Sequence, residues 1–188
     1  MEYQNKNPYI FIICGKPKSG KDTVAVLIQK YYAEKNKKVM NLQYSSYIKR
    51  YAKKIVGWDG QEETKPREFL NTVGMELIHD TIDSNFTIRR TLEDMQVYAY
   101  FYDVLTVSDA RFVKEIEEPK KLFSHVFSIH ITSPVGESAL DSKAIQHRTN
   151  HGLDDYHTYD YEIVNDKGIE ELKEKVYTIL KEVEKNEH

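Results

Sequence analysis

Residues 11–27 read FIICGKPKSGKDTVAVL: an apolar run, two glycines five apart, three lysines within six positions, then a return to apolar residues. Tyr9 to Cys14 has the composition of a buried strand, and Val24, Leu27, Ile28 and Tyr31 recur at helical spacing beyond it. Between them Gly15, Lys16, Pro17, Lys18, Ser19, Gly20 and Lys21 satisfy G-x-x-x-x-G-K, a phosphate-binding loop in its required strand-then-helix setting. The chemistry explains the pattern. Backbone N–H groups must wrap an anion closely, glycines permit that approach, and a helix N-terminus adds the positive end of its dipole. Lys21 then reaches the terminal phosphates as a point charge. One position departs from the usual loop: Asp22, followed by Thr23, stands where a serine or threonine hydroxyl normally faces Mg²⁺. Its carboxylate reads either as a metal ligand, directly or through water, or as a cap on the helix.

Working outward, four further β-rich runs alternate with helical patterns: Val39 to Gln43, Val104 to Ser108, Val126 to Ile131 and Tyr161 to Val164. A last helix is predicted from Ile169, Leu172, Val176, Ile179, Leu180 and Val183. Such alternation predicts an α/β fold around a mainly parallel sheet of about five strands. At 188 residues and 40% hydrophobic, the chain is expected to form one domain spanning 1–188. Residues 44–100 are longer than a minimal crossover requires and predict a helical insert; the polar stretch 133–158 predicts a lid-like excursion.

Composition narrows the partners. A net charge of −3 supplies no general basic field for a nucleic-acid polymer, so phosphate binding should be focal. No apolar stretch is long enough to span a bilayer, and the N-terminus lacks the pattern of a secretory signal, so a cytoplasmic location is expected. The single cysteine, Cys14, forms no internal disulfide and reads as a small buried hydrophobe. The oligomeric state is open, a homodimer included.

The strand ending Val107-Ser108-Asp109-Ala110-Arg111 carries a carboxylate and a guanidinium to the sheet edge where the phosphate loop lies. Asp109 reads as a holder of metal-bound water or a substrate hydroxyl, or as a cap on the next helix; Arg111 reads as a fork for phosphate or as a surface pair. In residues 63–83, Phe69, Leu70, Val73, Leu77 and Ile78 form an apolar helical face, with Arg67, Asn71 and Gly74 on another side. A glycine in mid-helix predicts close approach of a ligand or a neighbouring helix. Tyr44, Ser45, Ser46, Tyr47 and Lys49 follow the second strand at the expected pocket rim, and Lys143, His147 and Arg148 are candidates to close over a transferred phosphate. His147, His151 and His157 carry no recognised metal-ligand spacing.

The loop GKPKSGKDT, the helix KPREFLNTVGMELIHD, the strand end VSDAR and the late segment HGLDDYHTYDYEIVNDKG together resemble the P-loop deoxynucleoside monophosphate kinases. Aspartate after the loop lysine is characteristic of these relatives. The resemblance spans about residues 9–180 and implies a three-layer P-loop NTPase fold with an acceptor-binding insert and a short lid. It implies ATP-dependent phosphoryl transfer to a deoxynucleoside monophosphate, with Mg²⁺ and small-molecule nucleotides as partners. Residues 15–23 would bind ATP phosphates, with Asp22 and Asp109 at the metal; Tyr44, Ser45, Lys49, Arg67, Asn71 and Arg111 would hold the acceptor. Lys21, Arg111, Asp109 and Arg148 would act on the transferred group. The segments SDAR and GLDD are also similar to phosphomevalonate kinase, which leaves that acceptor, or a binding-only relative, as the alternative readings.

Overall fold

The computed structural model describes residues 3–134 and 152–186. Strands β1 (Tyr9–Cys14), β2 (Val39–Leu42), β3 (Val104–Ala110), β4 (Val126–Thr132) and β5 (Tyr161–Val164) form a sheet in the order β2-β3-β1-β4-β5. Every neighbouring pair is parallel. Helices are α1 (Lys21–Glu34), α2 (Ser46–Ile55), α3 (Arg67–Asn71), α4 (Phe86–Tyr98), α5 (Val113–Leu122) and α6 (Ile169–Lys185), with a π-helical segment at Thr72–Ile82.

The central strand explains itself. In β1, Ile10 through Cys14 are fully buried because both faces of a parallel sheet are covered. Phe11 and Ile13 pack with Val24, Ile28 and Tyr32 of α1 and with Val176 and Leu180 of α6; Ile10 and Ile12 pack with Leu105, Val107, Met95 of α4 and Ile116 of α5. Helices on two faces of one sheet make three layers. Each fully buried aliphatic side chain adds about 1.5–3 kcal/mol, so these two cores hold the loop ends at one edge in fixed positions.

The strands agree with the sequence pattern to within two residues. β2 ends at Leu42, while β3 runs on to Ala110 and β4 to Thr132, so Asp109 lies in the strand rather than beyond it. Ile88 and Met95, from the stretch expected as an insert, are buried in the second core, and Ala99 is buried as well. Two stripe positions are corrected. Ile169 sits in the first turn of α6 and is 52% exposed, and Leu77 is 47% exposed. The physical reason at Leu77 is the π-helical winding: with i→i+5 bonding, seen where Asp83 N–H donates to the Ile78 carbonyl at 2.8 Å, each turn takes about one residue more. A stripe spaced for an α-helix therefore drifts off the buried face. Gly74 is buried against α2, where a β-carbon would lie 2.9 Å from Ile48 Cδ1, so the neighbouring-helix reading of this glycine is the observed one.

Candidate active site

The loop between β1 and α1 is closed tightly. Gly15 has φ +144°, and a β-carbon there would lie 2.1 Å from the Ile131 carbonyl oxygen, so only glycine can sit beside β4 at that point. Lys18 adopts φ +63°, an uncommon conformation for a side-chain-bearing residue. Gly20, at φ +107°, is the N-cap of α1, and no side chain caps that helix end. Its first amides are therefore left for another acceptor, the arrangement that favours an anion. Ser19 is fully buried and, among the described residues, its hydroxyl has no partner.

Lys21 folds back over the loop, its ammonium donating to the Lys16 carbonyl at 2.7 Å. Burial pulls its pKa down to about 8, and Arg111 adds to the fall, while Asp22 and Asp109 oppose it. An ammonium so placed gains strongly from a bound anion. Asp22 accepts a hydrogen bond from Ser108 Oγ at 2.8 Å, which ties the start of α1 to β3; the capping alternative for Asp22 is not what the side chain does. Cys14, beneath the loop, is buried, and burial pushes its thiol up to about 12.

The edge of β3 carries a second network. Asp109 Oδ1 accepts the Tyr44 N–H at 2.8 Å, and Oδ2 accepts the Ser45 N–H at 3.1 Å and the Ser45 hydroxyl at 2.6 Å. Both carboxylate oxygens are thus engaged with the root of α2, and Asp109 does not cap α5. That cap comes from Glu115, which is buried and whose Oε2 accepts the N–H groups of Arg111 at 2.6 Å and Phe112 at 3.0 Å. Burial pushes the Glu115 carboxyl up to about 8, while the two N–H donors pull the other way. Tyr44 is 2% exposed and donates its hydroxyl to the Glu115 carbonyl at 2.6 Å, so its ring seats α2 in the core. Lys49 donates to Gln43 Oε1 at 2.5 Å; burial lowers its pKa, and the carboxylates of Asp109 and Asp22 act on it from the cleft.

The structure therefore gathers Lys21, Asp22, Ser108, Asp109, Arg111, Ser45 and Lys49 along one edge. It does not bring Arg67 or Asn71 among them. Both are exposed, and Arg67, 69% exposed, pairs with Glu62 at 2.5 Å. Arg148, Lys143, His147 and His151 lie outside the described residues. Beside Gly15, Lys16 and Arg111 opens a cavity of about 340 Å³ whose far wall includes His130, Tyr156 and Tyr159. The His130 and Tyr159 rings stack at 4.4 Å. The late segment returns to this wall at Gly152, where a β-carbon would lie 2.3 Å from the Arg111 carbonyl. Sequence reasoning missed Glu115, although a glutamate three residues after a helix N-cap is a recognised signal. It also missed Asn165, whose Nδ2 donates to the Ser19 carbonyl at 3.0 Å.

The model of the deoxynucleotide monophosphate kinase family matches residues 29–176. That match begins beyond the phosphate loop, so loop and family are independent observations. Among curated proteins, none matches the chain. The fold is similar to the APS kinase CysC of Mycobacterium tuberculosis in complex with AMPPNP and APS, with TM-score 0.56 and 15% identity, over 93% of this chain and 98% of that one. It is likewise similar to TT1252 of Thermus thermophilus, with TM-score 0.55 and 15% identity, over 93% and 97% of the two chains. At these identities the likeness is one of fold.

Proposed function

The chain belongs to the deoxynucleotide monophosphate kinase family and is a nucleotide kinase, and from that premise we propose that it transfers the γ-phosphoryl group of ATP to a deoxynucleoside monophosphate. The observation that carries this reading is the loop at residues 15–21, closed by glycine-only geometry around uncapped helix amides, with the Lys21 ammonium folded over it. In the reaction a phosphate oxygen of the acceptor attacks the γ-phosphorus in line, the bond to the β–γ bridging oxygen breaks, and ADP leaves with that electron pair.

No protein nucleophile is required; the residues bind, orient and neutralise. Lys21, lying over the loop, meets the charge that builds on the bridging oxygen. Arg111, fixed through its backbone by Glu115, faces the acceptor phosphate from the end of β3. Lys49 reaches the same cleft from α2. Mg²⁺ fits this edge: Asp22 offers a carboxylate beside the loop, and among the described residues no group of three or more His, Cys, Asp or Glu forms an all-protein cage. That suits an ion which keeps waters and substrate oxygens, and when bound it would neutralise charge across the β- and γ-phosphates. Of the two carboxylates, Asp22 is the better ligand, because Asp109 is committed to Tyr44 and Ser45.

A coupled ADP-release assay across the deoxynucleoside and ribonucleoside monophosphates, with phosphomevalonate in the same panel, tests the proposal. Turnover with one or more deoxynucleotides is expected. Turnover confined to phosphomevalonate, or none with any acceptor, would refute it.

A further inference from the structure

We infer that Asn165 is a positioning residue for the phosphate loop, fixing the Ser19–Gly20 peptide so that its N–H faces the bound anion. The residue stands directly after β5, on the far side of the molecule's sequence from the loop it touches. Its own N–H donates to the Thr132 carbonyl at 2.8 Å, which extends the β4–β5 pairing by one step and pins its backbone. From there the side-chain Nδ2 donates to the Ser19 carbonyl at 3.0 Å.

The approach depends on the loop's own sequence. A β-carbon on Gly20 would lie 2.8 Å from Asn165 Nδ2, so the second glycine of the motif makes room for the amide as well as adopting φ +107°. In a trans peptide the carbonyl and the N–H point in opposite directions. Holding the Ser19 oxygen toward Asn165 therefore turns the Gly20 N–H to the opposite side, where the loop closes round its ligand. Ser19 is fully buried and, among the described residues, its hydroxyl has no partner, so the residue being oriented has a polar group left for a ligand. The Lys21 ammonium fixes the Lys16 end of the loop at 2.7 Å; Asn165 fixes the other.

The inference rests on residues 15–23 being the ATP phosphate site, and the test separates the two. Asn165→Asp keeps the shape but replaces the donor by a carboxylate; Asn165→Ala removes the side chain. Affinity for ATP and for inorganic tripolyphosphate is measured by calorimetry, and the ligand-free melting temperature is followed in parallel. Both variants are expected to melt within a few degrees of the parent and to lose roughly tenfold in affinity for both probes. The aspartate should lose more, since it repels the Ser19 carbonyl and the anion alike. Parental affinity in both variants overturns the inference. So does a loss confined to ATP, which would place Asn165 against the nucleoside instead. Should Asn165→Asp fail to fold, Asn165→Ala with the two probes decides alone. A parent chain that binds neither probe overturns the phosphate-site reading, and this inference with it.

Discussion

The loop after β1 and the stretch between β2 and β3 both carry cations, yet they hold them in opposite ways. At the loop, Lys21 is half-buried, folded onto the Lys16 carbonyl, and flanked by glycines that contact β4 and Asn165 directly. In the other region Arg67 is exposed and paired with Glu62, on a short helix that continues into π-helical winding. One cation is already placed and desolvated before any ligand arrives; the other is hydrated. Electrostatic stabilisation is worth most where no reorganisation is needed at the moment of reaction. On the proposed function, the difference would put the chemistry at the loop and recognition in the insert.

Lys21→Ala is the strongest way to break that contrast. Turnover should fall on the order of 100- to 1,000-fold, with circular dichroism unchanged, as measured by coupled ADP release. Near-parental turnover would remove the loop from the chemistry. Gly15→Ala comes next. A side chain there is both strained by φ +144° and in collision with the Ile131 carbonyl, so the melting curve should report a loss of at least about 2 kcal/mol together with weakened ATP binding.

Arg67→Ala sharpens the other side. An exposed pair contributes under about 1 kcal/mol, so the melting temperature should hardly move, while KM for the acceptor rises several-fold and KM for ATP does not. Equal change in both KM values would erase the division of labour. A pH-dependent effect is expected at the start of α5, behind Arg111. The Glu115 carboxyl is raised to about 8, so the folded state holds a proton that the unfolded chain releases near 4.3. Its stabilising contribution is complete below the unfolded value and is lost as pH rises through about 8, at no more than about 1.4 kcal/mol per pH unit. Glu115→Gln stays neutral. Melting temperatures taken from about pH 6 to about pH 9 should therefore converge on, then favour, the variant.

The sheet could be read from the sequence because β1 is an unbroken apolar run and the other strands are short β-rich runs between helical patterns, and the loop because its glycines and lysines are fixed by local backbone demands. Residues 72–82 could not, since an apolar pattern near 3.6 does not reveal winding that adds a residue per turn, and Leu77 was misplaced as a result. The partners of Asp109 were hidden for another reason. Tyr44 and Ser45 reach it only because β2 and β3 are neighbours in the sheet, a fact of topology that no local spacing records. Asn165 is the extreme case: its acceptor lies at the opposite end of the chain.

Asp109 grips two successive amides and a hydroxyl at the root of α2, and the Tyr44 hydroxyl is bolted to α5. The stem of the insert is thereby locked to the strand that bears Arg111. Any swing of the insert over a substrate must pivot farther out, past Ser45, toward Gly57 and Gly60 with their left-handed backbones. The distance between Ser45 and the end of β3 is then set by the sheet itself, whatever the outer helices of the insert do.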